Sequence, residues 1–245
     1  MEQMRSLLLV SPLDSDMLKR AFESNADCIV LDLVGCSMDS CKGKGINCMS
    51  LKDSIAASTA EIGSSKLYVR VSHPQTLRTE KELLCIMSVQ PEGVILPCAT
   101  GHEDVACLSA MLSVIEAQYD VEDGTTRIIA ISGETSAGIM ASPTFSLSAG
   151  HPAHRRLYGL SWDEIALSSE LGTEGYALPP DQKGFARSMT LMAARSAKVC
   201  AFDTPSLQRN KTLFQQECHD AAAAGYEGKF TLDPDQVEII NEIFS

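Results

Sequence analysis

The chain has 245 residues, of which 44% are hydrophobic and 21% charged, a composition typical of a globular protein with a sizeable buried core. Thirty-two Asp and Glu residues against 20 Lys and Arg residues give a formal net charge of −12, which argues against a nucleic-acid partner because a phosphate backbone would be repelled. No apolar run approaches the roughly 20 residues that span a bilayer, so we expect no membrane span, and the short apolar core of MEQMRSLLLVSP predicts no signal peptide.

Eight short apolar runs predict β-strands. In chain order they are SLLLVSP (6–12), DCIVLDL (27–33), KLYVRVS (66–72), GVILPCA (93–99), RIIAISG (127–133), RLYGLSW (156–162), KVCAFDT (198–204) and GKFTLD (228–233). Most of them are almost continuously apolar, which is typical of parallel strands that are covered on both faces.

Segments with helical periodicity separate these strands. Asp14 or Ser15 is suited to cap DMLKRAFES, and Ser50 is suited to cap LKDSIAASTAEI. Longer helices are predicted at 102–119, 185–197 and 213–225, and a last helix at 234–244 has proline in its first turn. The turn-rich segment 173–184 is interpreted as an active-site or interface loop.

This alternation predicts a single α/β domain over residues 1–245, folded as a (β/α)8 TIM-type barrel. The helix at 234–244 is expected to close the barrel or to pack on a neighbour. The alternative is a doubly wound open sheet, which usually has a glycine-rich turn after its first strand. Here the first strand is followed by Ser11-Pro12-Leu13-Asp14, without glycine, and the barrel is therefore favoured.

The nine cysteines include no CxxC pair, and most lie in predicted strands or helices. This usage predicts reduced thiols, a cytoplasmic location and no native disulfide. Cys36, Cys41 and Cys48 cluster in a polar loop instead. Their spacing matches no common zinc pattern, so we interpret them as loop cysteines, with a metal site as the alternative.

Polar residues follow most of the predicted strands. Because barrel enzymes carry their chemistry at the C-terminal strand ends, we expect these side chains to share one rim. Carboxylates from several strands suit Mg²⁺, and arginine suits a substrate carboxylate, so the pattern predicts a metal-assisted site for a 2-oxo acid. The alternative is a set of helix-capping acids with an arginine paired to one of them. The residues are Asp32, Arg70, Cys98, Glu134, Asp163, Glu164, Asp203 and Asp233.

Several motifs, in this order, resemble the citrate lyase beta-subunit family within the HpcH/HpaI group of aldolases and lyases. They are RSLLLVSP with DMLKRAFESNADCIVLDL, YVRVSHP, PEGVILPCAT, GETSAGI, WDEIALSSELG and GYEGKFTLDPDQVEIINEIF, which together cover residues 5–244. The resemblance implies a Mg²⁺-dependent carbon–carbon lyase or aldolase. Its substrate would be a 2-oxo or 3-hydroxy acid, or a coenzyme A or acyl-carrier thioester of such an acid. The resemblance also implies a homo-oligomer, and the family's usual state is a trimer.

The resemblance also implies roles for individual residues. Glu134 would bind the metal with a second ligand from the Asp163/Glu164 pair, for which Glu164 is favoured by position. Arg70 would bind the substrate carboxylate and stabilise the enolate, so Arg70 and Glu134 are the expected catalytic residues. Asp32 and Trp162 are expected to contact the substrate, and for Trp162 simple core packing is the alternative.

The chain departs from the family pattern at several rim positions. Val34 and Gly35 replace two carboxylates, the usual Glu-Asp pair becomes Asp163-Glu164, Cys98 replaces a lysine, and Asp233 replaces a histidine. Mg²⁺ requires a nearly ideal octahedron, so these changes predict weakened metal binding. They keep two alternatives open: a catalytically degenerate barrel that serves as a binding or regulatory subunit, and a thioesterase on the same rim.

Overall fold

The computed structural model describes residues 3–34, 63–148, 150–173 and 177–245. Eight parallel strands form a closed barrel, in which each strand pairs with the next and the last pairs with the first. The predicted barrel is therefore confirmed and the open sheet is excluded. The strands are β1 Ser6–Val10, β2 Cys28–Asp32, β3 Lys66–Arg70, β4 Gly93–Leu96, β5 Arg127–Gly133, β6 Leu157–Trp162, β7 Cys200–Asp203 and β8 Gly228–Thr231.

Helices pack around this barrel. Asp14 caps the first of them by accepting a hydrogen bond from the amide of Met17, as its position predicted. The described helices are α1 Ser15–Glu23, α2 Thr79–Ile86, α3 His102–Gln118, α4 Ser136–Ala141, α5 Glu164–Glu170, α6 Pro180–Ala197, α7 Lys211–Ala224 and α8 Val237–Ile243. Short 3-10 segments occupy Met87–Val89, Ser142–Ser148, Pro152–Arg155 and Pro234–Gln236.

The helices of the structure differ from the sequence prediction at several points. Helix α6 begins at Pro180, so part of the predicted loop 173–184 is helical; proline suits a first turn, where its missing N–H has no partner in any case. The last element starts as a 3-10 turn and becomes α-helical only at Val237. Helices α2 and α4 were not predicted.

Some sequence predictions fall outside the described residues. They are the helix capped by Ser50, the departure at Gly35 and the cluster Cys36, Cys41 and Cys48. The assignment of residues 1–245 to one domain stays a prediction.

Two apolar layers hold the strands in place. Side chains pointing into the barrel form one layer, and side chains between the barrel and the helices form the other. Each fully buried Leu, Ile or Phe side chain contributes about 1.5–3 kcal/mol. The inner layer includes Leu7, Val30, Tyr68, Ile95, Ile129, Phe202 and Phe230, and the outer layer includes Leu8, Ile29, Val69, Val94, Ile128, Leu160 and Trp162.

The expectation of no disulfide is wrong. Cys85 on α2 is disulfide-bonded. A buried periodic position does not distinguish a half-cystine from a free thiol, since both pack as small apolar groups. The free cysteines of the described residues are Cys28, Cys98, Cys107, Cys200 and Cys218.

Across the ranges that the structure describes, none of the helices has both the length and the apolar character needed to cross a membrane.

Candidate active site

Five polar residues meet at the C-terminal ends of neighbouring strands, and we call them the mouth cluster: Asp32, Arg70, Cys98, Glu134 and Asp163. Strand register explains their proximity. Asp32 and Arg70 are register partners at the ends of β2 and β3. The ends of β5 and β6 are likewise paired, and Glu134 and Asp163 directly follow those paired residues.

Arg70 is the cation of the mouth cluster and is held by two carboxylates. Its Nη1 donates to Asp32 Oδ2 at 2.9 Å, and its Nη2 donates to Glu134 Oε1 at 2.5 Å. Burial alone would lower the pKa of Arg70, but the Glu134 and Asp32 charges outweigh it and raise the pKa above its ordinary value. The third guanidinium nitrogen, Nε, is buried and has no hydrogen-bond acceptor among the described residues.

Glu134 is the most buried acid of the mouth cluster, with only 2% of its side chain exposed. Its second oxygen, Oε2, accepts a hydrogen bond from the Cys98 amide. Burial raises the pKa of Glu134 and the nearby Asp163 raises it further, while Arg70 and the Cys98 amide act in the opposite direction. Since arginine stays protonated, Glu134 is the member of this ion pair that titrates.

The GETSAGI motif positions Glu134. Thr135 caps α4 by accepting a hydrogen bond from the amide of Gly138. A Cβ at Gly138 would lie 2.0 Å from the carbonyl oxygen of Ser132 and 2.8 Å from that of Ala99. Glycine is therefore required there, because α4 packs directly against the backbone at the ends of β4 and β5.

The Asp163/Glu164 pair is split between two environments. Asp163 caps α5, with Oδ1 accepting the amides of Ile165 and Ala166, and its charge raises the pKa of Glu134. Glu164 instead forms an ion pair with Lys183, with 2.7 Å between Oε2 and Nζ. The structure thus brings Asp163, and not Glu164, together with Glu134.

Cys98 lies at the end of β4 with an exposed side chain and a left-handed backbone, φ 49°. Partial desolvation of the sulfur, together with the Glu134 charge, raises the pKa of the thiol to about 11. The thiol is therefore protonated at neutral pH and is a poor nucleophile. Its described contribution is the backbone amide that holds Glu134.

Trp162 and Asp203 lie in the outer packing layer. The indole Nε1 of Trp162 donates to Asp203 Oδ1 at 2.9 Å, and Trp162 is 1% exposed. Asp203 Oδ2 accepts from Lys229 Nζ at 2.8 Å, and Arg187 lies 3.7 Å away. Burial opposes ionisation of Asp203, but Lys229 and Arg187 outweigh it and lower its pKa. These contacts are those of a packed core and leave Trp162 out of the mouth cluster.

A family model described as HpcH/HpaI aldolase/citrate lyase matches residues 5–234. The chain belongs to this family. The membership confirms the resemblance that the motifs indicated and, with the citrate lyase relatives, supports the assignment as a carbon–carbon lyase.

Individual relatives agree with the family assignment. Citrate lyase subunit beta of Haemophilus influenzae is 28% identical over 256 residues, which cover 100% of this chain and 81% of that subunit. The solved citrate lyase beta subunit of M. tuberculosis, complexed with oxaloacetate and magnesium, has a TM-score of 0.73 at 19% identity and covers 99% of this chain and 97% of that one. CitE of M. tuberculosis with magnesium, acetoacetate and coenzyme A has a TM-score of 0.71 at 17% identity, with coverages of 99% and 81%. The two structures support the barrel fold.

The carboxylates of the mouth cluster suit a hard cation, such as Mg²⁺, that takes few of its ligands from the protein. In the described ranges, no three carboxylate, imidazole or thiol groups are arranged to hold a metal ion. Mg²⁺ commonly uses only one or two protein carboxylates and completes its octahedron with water and substrate oxygens. Glu134 and Asp163, whose charges already interact, fit that requirement.

A cavity of about 600 Å³ lies between α5, α6 and the segment that follows β7. The cation that lines this cavity, Lys183, was not predicted from the sequence, because no motif links it to Glu164 across the loop between them. Its lining includes Glu164, Ser168, Lys183, Ser206, Gln208 and Glu217.

Proposed function

We propose that this family member is a Mg²⁺-dependent carbon–carbon lyase whose active site is the mouth cluster. The observation that carries the proposal is Arg70. An arginine with 16% of its side chain exposed lies between two carboxylates at the functional end of a barrel, and one of its donors has no acceptor among the described residues. A purely structural ion pair does not require an unused buried donor, whereas a substrate or water oxygen would satisfy it.

Each member of the mouth cluster has a role in this proposal. Arg70 binds the substrate carboxylate and offsets the negative charge that develops as the carbon–carbon bond breaks. Asp32 fixes the orientation of the guanidinium through its 2.9 Å hydrogen bond. Glu134 and Asp163 are the carboxylates that would hold Mg²⁺. The metal, when bound, polarises the substrate oxo group.

The geometry favours Asp163 over Glu164 as the second metal ligand, which differs from the choice made from sequence position. The Glu164 carboxylate is already neutralised by Lys183. We expect the Mg²⁺ affinity to be weak, because the Glu134 oxygens already accept hydrogen bonds from Arg70 and the Cys98 amide. The loss of an acid at Val34 acts in the same direction.

The substrate is proposed to be a 2-oxo or 3-hydroxy acid or its coenzyme A or acyl-carrier thioester. The 600 Å³ cavity beside Glu164 offers space for a part of the substrate larger than the reacting acid. A cytoplasmic location and a homo-oligomer, a trimer by resemblance, remain predictions; light scattering of the purified protein would test the oligomer.

A panel of 3-hydroxy acids that carry a second carboxylate on the hydroxylated carbon, together with their coenzyme A thioesters, separates the candidate activities. A lyase releases an oxo acid, measurable as its hydrazone, and leaves the thioester intact. A thioesterase releases a free thiol without an oxo acid. We expect oxo-acid release that requires Mg²⁺ and is lost in Glu134→Gln. Thiol release alone, or neither product with any substrate while the acids still bind, would contradict the proposal in favour of the thioesterase or the binding subunit.

A further inference from the structure

A concave cluster of cations lies at the N-terminal end of the barrel, opposite the mouth cluster, and we call it the basic pocket. It encloses about 490 Å³ between the starts of β5, β6 and β7 and the end of α6. Among its described lining residues, Glu227 is the one carboxylate. The lining cations are Arg127, Arg155, Arg156, Arg195 and Lys198. In a chain of net charge −12, such a concentration of positive charge is unexpected.

Two of these cations have structural partners. Arg156 is 2% exposed and donates to both oxygens of Glu116, at 2.8 and 2.6 Å. Arg195 pairs with Glu227 and donates to the carbonyl oxygen of Gly225. These contacts account for Arg156 and Arg195 without any ligand.

The other cations of the basic pocket have no structural partners of this kind. Arg127 and Lys198 form no ion pair with any carboxylate of the described residues, and both side chains are accessible. Arg155 Nε donates to the carbonyl oxygen of Pro152 at 3.4 Å. Its ion pair among the described residues is with Asp123, at 3.5 Å, and the same carboxylate accepts a 2.7 Å hydrogen bond from Arg156. The pocket therefore carries uncompensated positive charge on at least two sides.

The pocket holds these cations in defined positions. The Arg127 guanidinium lies 4.9 Å from the ring centroid of Tyr158, and that ring stacks on Phe202 of the inner layer. Lys198 ends α6 in the left-handed conformation, φ 58°, which is uncommon for a residue other than glycine. Attraction to the C-terminal end of α6 explains a cation at Lys198 but not one at Arg127, which opens a strand.

We infer that the basic pocket binds a small molecule that carries phosphate groups. Guanidinium groups match phosphate oxygens bidentately, and an ammonium group adds a point charge, so Arg127 and Lys198 can hold one diphosphate from two sides. The concave shape favours a small anion over a nucleic acid, which the overall negative charge would repel. The site is separate from the proposed lyase site, because Arg127 begins β5 whereas Glu134 follows its other end.

Calorimetric titration with inorganic pyrophosphate tests the inference, in metal-free buffer because pyrophosphate chelates divalent cations. The test variant is Arg127→Gln with Lys198→Gly. Glycine favours the left-handed conformation at that position, so the variant loses charge without added backbone strain. The control, Lys81→Gln with Lys211→Gln, removes the same charge from exposed helix positions outside the pocket. Citrate, titrated in parallel, tests whether a polycarboxylate replaces phosphate.

We expect saturable pyrophosphate binding that weakens about tenfold or more in the pocket variant, the change expected for a lost charge-assisted contact. Binding should change less than about twofold in the control variant and in Arg70→Lys, since neither alters the pocket. The inference is overturned if the wild type shows no saturable binding, if the control weakens binding as much as the pocket variant, or if citrate binds more tightly than pyrophosphate.

Discussion

Replacing Arg70 by lysine tests the mouth cluster most sensitively, because it keeps the charge and removes the planar fork. Arg70 serves two carboxylates at 2.9 and 2.5 Å, and a single ammonium on a different stem cannot reproduce both contacts. Glu134 is the acid that this replacement destabilises most, because its side chain is only 2% exposed. In the variant, the Cys98 amide is the one contact that still stabilises its charge among the described residues.

The structure sets the expected magnitude. Losing one charge-assisted hydrogen bond to a buried carboxylate lowers the free energy of unfolding by about 1.5–3 kcal/mol at neutral pH. For a chain of this length, the loss corresponds to a melting temperature lower by roughly 3–12 °C. Binding of a 2-oxo acid should weaken by about 1–3 kcal/mol as well.

The pH dependence identifies the cause. Burial raises the pKa of Glu134, and removing the guanidinium raises it further. As the pH falls, Glu134 becomes protonated and neutral, and its ion pair with Arg70 no longer contributes to stability. The difference in free energy of unfolding between the wild type and Arg70→Lys should therefore shrink between neutral pH and the upper range of carboxyl titration. Denaturant unfolding at several pH values measures this directly. Arg20→Lys, at an exposed ion pair with Asp235, is the matched control and should change stability by less than about 0.5 kcal/mol. A stable Arg70→Lys variant, or a deficit independent of pH, would refute the reasoning.

Three further predictions concern stability. Lys229→Met removes the nearest cation from the buried Asp203 and should lower the free energy of unfolding by about 3–5 kcal/mol. Adding Asp203→Asn should restore part of this loss, and a loss below about 1 kcal/mol in denaturant titration would count against the buried pair. Lys229 and Arg187 lower the pKa of Asp203, so its ionised form stabilises the fold above the ordinary carboxyl pKa and this stabilisation is lost below it. The free energy of unfolding should therefore fall as the pH drops under about 4, and a free energy that stays constant in acid would contradict this. Gly138→Ala should destabilise the protein by about 1–3 kcal/mol, because the added Cβ clashes with the carbonyl oxygen of Ser132. Gly184→Ala, at a helix position with open space, should stabilise the protein by about 0.5–1 kcal/mol. Equal melting temperatures of the two variants would be inconsistent with the packing of α4.

The barrel could be predicted from sequence because parallel strands that are buried on both faces are almost continuously apolar. Helix ends were harder to predict. The run ALPPDQKG reads as a turn from composition, although Pro180 begins α6. Periodicity also could not distinguish the disulfide-bonded Cys85 from a buried free thiol.

The mouth cluster was only partly predictable. Arg70 and Glu134 follow from the strand ends and the family motifs, but the choice between Asp163 and Glu164 depended on Lys183, which lies on another helix. The packing of Trp162 depends on its hydrogen bond to Asp203, which ends a different strand 41 residues further along the chain. The basic pocket is assembled from cations far apart in the sequence, so no local charge pattern indicates it.

Glu134 is the acid of the mouth cluster on which we expect metal and substrate binding to depend. The most direct measurement is calorimetric titration of Mg²⁺, in the presence of pyruvate, into the wild type, Glu134→Gln and Glu164→Gln. We predict weak binding in the wild type, loss of binding in Glu134→Gln and retention in Glu164→Gln, because Glu164 is paired with Lys183. Retention of Mg²⁺ binding in Glu134→Gln together with its loss in Glu164→Gln would contradict the account.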